Sequence, residues 1–305
     1  MLGVTATPFR SDGLEMGDLF THVTFEMSIL DGIMQGYLCD VQGKRVHLPV
    51  ELKALRVTAG DYNQGDLSRE MNRAEAVQAA VDAIVLHAHD RKMMVFGVDV
   101  AHADAMAAGL NQAGIKAASV DGTTPEVLRK RILSDFSKGK IQALVNCQLL
   151  TEGFDEPSTD ALVIARPTRS RSLYVQMVGR VLRLYPGKEK ALVLDLTGAT
   201  EDKNLQTFAK LMTTQDKVKE KAAKAKQGSG SKQVLDGETP EMRPEETVVE
   251  WQKRLSEEDE ERRRQLLETA NEINLFADRS QFRWVPVGNR YAISFGETRW
   301  APILR

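Results

Sequence analysis

Between residues 65 and 198 the chain alternates short, uninterrupted apolar runs with amphipathic stretches, and few folds accept that pattern. Lys92-Met93-Met94-Val95-Phe96-Gly97-Val98 has no polar residue at alternate positions. A strand with one wet face would show them, so this run predicts a strand buried on both faces. Ala117–Val120, Ile141–Val145, Ala161–Ala165 and Ala191–Asp195 read the same way. Between them, Ala101–Gln112 has helical spacing and stops at Gly114, a residue suited to the left-handed turn that ends helices. Thr124-Pro125-Glu126 opens a second helix, with Pro125 fitted to its first turn. That helix runs through Phe136 to Gly139, and Ser172–Leu184 forms a third. Strands separated by helices predict an α/β fold, a parallel sheet with helices on both faces and right-handed crossovers. Ligands of such sheets bind at the carboxyl ends of the strands.

Three further zones surround this one. Residues 1–64 hold short apolar runs and glycine turns. Residues 199–247 are Lys-rich and then rich in Gly, Ser and Pro. Residues 248–305 give a charged helix and an aromatic, strand-like tail. The net charge of -2 is low for a protein that coats nucleic acid, so any such contact must come from local patches. Cys39 and Cys147 form no CxxC pair, which fits a reducing compartment. His22, His47, His87, His89 and His102 lack metal-ligand spacing, and no metal site is expected. The opening MLGVTATPFR has no basic stretch followed by an apolar core, and no run of 18 apolar residues occurs. The expectation is a soluble, cytoplasmic chain with no membrane contact.

Three strings carry chemistry. In Gln176-Met177-Val178-Gly179-Arg180-Val181-Leu182-Arg183 the arginines lie three apart, on one face of the predicted helix. Gly179 permits close backbone approach. Two guanidinium groups side by side suit a triphosphate, whose transferring group spreads charge over several oxygens. The alternative is a solvated arginine face. Thr151-Glu152-Gly153-Phe154-Asp155-Glu156-Pro157 follows the third strand, where Asp155 can accept from a ribose and Thr151 donate to a phosphate; the alternative is an ordinary loop. Gly3-Val4-Thr5-Ala6-Thr7-Pro8 reads as a strand running into small hydroxyl residues.

In order and spacing these strings resemble superfamily 2 helicases of the DEAD/DEAH-related type, over roughly residues 1–198. Thr5-Ala6-Thr7-Pro8 is similar to motif III, Met93–Val98 to motif IV, Thr151–Pro157 to motif V and Gln176–Arg183 to motif VI. The stretch ARPTRSRSLYVQMVGRVLR is similar to the restriction-subunit-like and phage-encoded branches. The resemblance implies a RecA-like second motor domain over residues 65–198, from about Met93 to Asp195 at its centre. Arg180 and Arg183 would contact the ATP γ-phosphate, with Arg183 as the arginine finger. Gly153, Asp155 and Gly179 would line the nucleotide, and Gln176 would join motif VI to it. Thr5, Ala6 and Thr7 would couple the two motors. Backbone at Val98, Gly122, Thr123 and Thr151 would follow nucleic-acid phosphates, DNA first and RNA as the alternative.

A complete motor also needs a Walker A loop, Gly-x-x-x-x-Gly-Lys-Ser/Thr. Gly43-Lys44, Gly139-Lys140 and Gly187-Lys188 are followed by Arg45, Ile141 and Glu189, so none fits. No Asp-Glu-x-His or Asp-Glu-Ala-Asp box occurs either. The expectation is therefore a C-terminal helicase part, with residues 1–64 holding a first-motor remnant and the segment between motors. A separate N-terminal half would hold most of the ATP and Mg²⁺. The other class of function is a non-catalytic nucleic-acid-binding or regulatory protein that keeps the second motor fold; a translocase serving restriction is a third reading. In the tail, Phe282–Val287 and Tyr291–Phe295 flank Gly288-Asn289, a hairpin signal. Trp284 and Trp300 belong to a packed cap there, or stack on bases.

Overall fold

The computed structural model describes residues 25, 27–147, 154–198, 207, 208, 211, 242, 243, 246–272, 283–287, 290–294 and 300–302. The expected coupling residues Thr5, Ala6 and Thr7, the expected ligand-contact residues Thr151 and Gly153, and the Lys-rich segment 212–241 lie outside these. The chain divides into two compact units, residues 1–253 and 254–305.

The first unit is built on a six-stranded parallel sheet. Its strands are β1 (Asp40–Leu48), β4 (Met93–Phe96), β5 (Ala117–Val120), β6 (Ala143–Asn146), β7 (Ala161–Ile164) and β8 (Lys190–Gly198). The order across the sheet is β1-β8-β7-β4-β6-β5. A two-stranded ribbon, β2 (Val57–Thr58) with β3 (Asp61–Tyr62), precedes the helices α2 (Gln64–Met71) and α3 (Ala74–Ala88). The other helices are α1 (Ile29–Met34), α4 (Val100–Gln112), α5 (Glu126–Ser137) and α6 (Arg171–Gly179). Every residue of β4, β6 and β7 is buried, as continuous apolar runs require in a sheet covered on both sides.

Side chains alternate across a strand, so the two faces can be assigned. Met93, Val95, Ala143, Val145, Ala161, Val163, Leu192 and Leu194 pack with α3 and α4 residues in one core. There α4 passes close to α3: a Cβ added at Gly109 would sit 2.8 Å from Val81 Cγ2. Met94, Phe96, Leu144, Leu162, Ile164 and Val193 point the other way and are also buried. On that side the Tyr174 hydroxyl of α6 donates to Asp195 of β8 at 2.7 Å. The α/β expectation holds: this is a RecA-like parallel sheet with helices on both faces.

Two local expectations change. Residues 40–48 lay in the zone placed before the sheet, yet β1 pairs along its full length with β8 and adds the sixth strand. The helix expected over Ser172–Leu184 spans Arg171–Gly179 and so stops five residues before Leu184. Beyond it the Val181 carbonyl accepts from Lys188 Nζ, and the Leu182 carbonyl from the Cys39 N–H. A lysine side chain seven residues on and a distant backbone N–H replace the intrahelical donors.

The second unit contains the helix α7 (Val248–Glu272) from Arg254 onward and a three-stranded antiparallel sheet. Its strands are β9 (Arg283–Val287), β10 (Arg290–Ser294) and β11 (Trp300–Pro302), in the order β11-β10-β9. The register sets Ile293 opposite Trp284 and Ser294 opposite Trp300, so the hairpin flanking Gly288-Asn289 is present. Among the described residues no helix is long and apolar enough to cross a membrane.

Candidate functional site

The helix α6 starts where the chain leaves the carboxyl end of β7 and returns it to the start of β8. Because β7 and β8 are parallel, the helix runs back along the sheet, and Arg180 and Arg183 lie level with the amino ends of the strands. The 151–157 string lies between β6 and β7, which are parallel strands of the same sheet. The ligand site was expected at the carboxyl ends; the described part of this string, Phe154–Pro157, lies at the opposite edge. There the Phe154 ring stands 6.5 Å from that of Phe136, at the end of α5.

The two strings meet. Arg180 Nη1 donates to the Phe154 carbonyl at 2.8 Å, and Arg183 Nη1 reaches the same oxygen at 3.5 Å. Arg183 also pairs with the Asp155 carboxylate. Arg180 is the residue that caps α6 and Arg183 follows the turn after it, so they do not share a helix face as expected. Their guanidinium groups converge because the chain turns, not because the helix continues. Gln176 sits one turn before Arg180 and is half-buried. A Cβ at Gly179 would meet nothing within 4 Å, so the surface beside it is open.

Side chains on either side pin this junction. Glu156 is buried and accepts from Lys92 Nζ at 3.1 Å and from the Ser137 and Ser158 hydroxyls. Burial works against its charge, but those hydrogen bonds outweigh it and hold the carboxyl below its usual range. Lys188 Nζ donates to four carbonyls: Pro157 at 3.2 Å, Thr159 at 2.6 Å, Val181 at 2.6 Å and Arg183 at 3.0 Å.

Of the expected nucleic-acid positions, the described ones, Val98, Gly122 and Thr123, lie in a separate group beyond the carboxyl ends of β4 and β5. There β4 and β7 are neighbours whose onward connections leave in opposite directions, the switch point of the sheet. The Val98 N–H donates to His102 Nδ1 at 3.1 Å, and its carbonyl accepts from Gln64 Nε2 at 2.7 Å. The Thr123 N–H and hydroxyl both donate to Asp121 Oδ1, at 2.5 and 2.6 Å. The backbone groups of Val98 and the donors of Thr123 are thus already engaged within the fold. Gly122 borders open space. Arg166 donates to Gln64 Oε1 at 3.2 Å, while Asp61 accepts from the Thr168 hydroxyl and the Arg169 N–H at 2.6 and 2.7 Å. These ties join β3 and the start of α2 to the segment after β7. The string ARPTRS carried the arginines in plain view, but Gln64 and Asp61, about a hundred residues upstream, left no sequence signal.

The chain is similar to known helicase sequences. Residues 75–185 match the family described as helicase conserved C-terminal domain. The Saccharomyces cerevisiae protein named "Putative ATP-dependent helicase IRC3" is 31% identical over 204 residues, 66% of this chain and 30% of the relative. The Schizosaccharomyces pombe protein named "Putative mitochondrial ATP-dependent helicase irc3" is 30% identical over 303 residues, 97% of this chain and 48% of the relative. The chain therefore spans less than half the length of these two relatives. Among solved structures, a fragment of "a putative HsdR subunit of a type I restriction enzyme" from Vibrio vulnificus YJ016 is 27% identical, with a TM-score of 0.50. That likeness covers 64% of this chain and 39% of the other.

Proposed function

We propose that this chain, whose residues 75–185 match the helicase conserved C-terminal domain, is the second-motor part of a superfamily 2, ATP-dependent nucleic-acid helicase or translocase. The observation that carries the reading is the convergence of Arg180 and Arg183 on Phe154 and Asp155. Two guanidinium groups in one patch can take several oxygens of a γ-phosphate as charge develops there. Arg183 is 36% exposed and Asp155 67% exposed. A surface pair of this kind is worth about 0–1 kcal/mol, so a phosphate can take the place of Asp155 at small cost. Asp155, once released, is free to accept from the ribose, with Gly153 and Gly179 admitting the nucleotide and Gln176 bracing the arginines. ATP and Mg²⁺ are held mainly by a facing domain with a Walker A loop, to which Thr5, Ala6 and Thr7 couple.

Nucleic acid is the partner, with DNA tested first; the likeness to an HsdR subunit supports that order. Gly122 and Thr151 remain the proposed phosphate-tracking backbone. Val98 and Thr123 contribute only if His102, Gln64 and Asp121 release them. The test is direct. The purified 305-residue chain alone is expected to show no Mg²⁺-dependent ATPase, and robust turnover by it would overturn this division of labour. The second reading, a non-catalytic nucleic-acid-binding protein, draws on the lack of a Walker A pattern in these residues. It predicts nucleic-acid binding with no gain of turnover when a Walker A domain is supplied.

A further inference from the structure

Lys188 belongs to none of the strings that define the site. Its pair with Gly187 fails the Walker A pattern because Glu189 follows. Gly187 has φ +81°, a left-handed conformation that glycine adopts without strain. The ammonium just beyond it collects the carbonyls of Pro157, Thr159, Val181 and Arg183 at 2.6–3.2 Å. Two of these oxygens lie in the segment that leads away from Asp155. The other two lie in the segment that carries Arg183. An ammonium has three protons for these four oxygens, so the donors are fully used. The described contacts of Lys188 include no carboxylate; Cys39, Asp160 and Arg183 act on it through space. A charge taken out of water in this way is tolerated because carbonyl dipoles replace the lost hydration.

We propose that Lys188 is a positioning residue, whose ammonium clamps the Asp155 segment to the Arg183 segment and so sets where the Arg183 guanidinium stands. It touches no substrate and acts through Arg183. Its consequence for turnover rests on the proposed role of Arg183, whereas the clamp itself does not.

The clamp is tested on the full 305-residue chain by NMR of the Arg183 Nε–H, assigned through its loss in R183A. The wild-type signal is expected to stand apart from those of solvent-exposed arginines and to move in D155N; a wild-type signal already within the exposed group overturns the proposal. In folded K188M it is expected to collapse into the exposed-arginine group. An unmoved signal overturns the proposal. Should K188M fail to fold, K188R decides: a planar fork cannot serve four oxygens that converge on one point, so the same displacement is expected and an unmoved signal again overturns. A general loosening of the sheet is separated by V193A, which lowers stability from a buried strand position and must leave the Arg183 signal in place. An equal displacement in V193A overturns the clamp.

With a Walker A domain supplied, K188M is expected to lower kcat at least tenfold with KM for ATP unchanged, and to add nothing in an R183A background. An additive loss overturns action through Arg183. If R183A keeps full turnover, the function proposed for Arg183 fails while the NMR result still judges the clamp.

Discussion

The guanidinium groups of Arg180 and Arg183 meet on one backbone oxygen, the Phe154 carbonyl, at 2.8 and 3.5 Å. That oxygen belongs to the string in which Asp155 and Glu156 follow. The geometry of the arginine pair therefore depends on how this string is held.

Glu156→Ala leaves Lys92 without its carboxylate at a site where the two side chains are only 18% and 10% exposed. Breaking a buried pair from one side costs up to roughly 3 kcal/mol, because Lys92 loses its counter-charge while keeping the Ser158 hydroxyl, the Ser137 carbonyl and the Phe136 ring. Urea unfolding should show that loss, with Glu156→Gln milder. An unchanged midpoint for Glu156→Ala would remove Glu156 as the anchor of the string.

At Gly109 a side chain has no room beside Val81. Gly109→Val is expected to cost about 1–3 kcal/mol by overpacking. Val81→Ala should recover part of that loss, giving a clear coupling in a double-mutant cycle. Additive effects would contradict the close passage of α4 over α3.

Two buried groups give stability opposite dependences on pH. Burial raises the Asp195 carboxyl from 3.8 to about 6, with bonds from Phe208 and Tyr174 only partly offsetting it. Between those values the folded chain keeps a proton that the unfolded chain has lost, so this group makes stability fall as pH rises. Burial lowers His102 from 6.5 to about 4, so over that range the unfolded chain takes a proton that the folded chain refuses. This group makes stability fall as pH drops. Asp195→Asn should therefore gain on the wild type by on the order of 3 kcal/mol as pH rises from about 4 to 6.5. His102→Gln should gain in the opposite direction. Parallel pH profiles for Asp195→Asn and the wild type would contradict the assignment.

The central strands were legible because burial on both faces forces continuous apolar runs, as in Met93–Phe96 and Ala161–Ile164. The edge strand β1 was not, because DVQGKRVHL has one covered neighbour, mixed polarity and a glycine. Its parallel partner β8 lies some 150 residues away, beyond any local pattern. The end of α6 was overrun because Val181 and Leu182 continue the apolar spacing of a helix. The distant Cys39 N–H and the Lys188 side chain, which take the Leu182 and Val181 carbonyls, show why the chain leaves it. At the site, the residue types pointed each string toward a nucleotide but not toward the other string, and the Arg180 and Arg183 bonds to Phe154 and Asp155 appear only in the fold. Their position at the amino edge of the sheet, and the Lys188 contacts between them, depend on tertiary packing that spacing does not encode.

Arg183 either acts on phosphate held by another domain or has no part in turnover. The deciding measurement is kcat for Mg²⁺-ATP hydrolysis by this chain assembled with a Walker A motor domain, comparing wild type with Arg183→Ala. Loss of an arginine that stabilises the transferring phosphoryl group is expected to cost roughly 10³-fold or more, with nucleic-acid binding retained. Turnover unchanged by Arg183→Ala would contradict it.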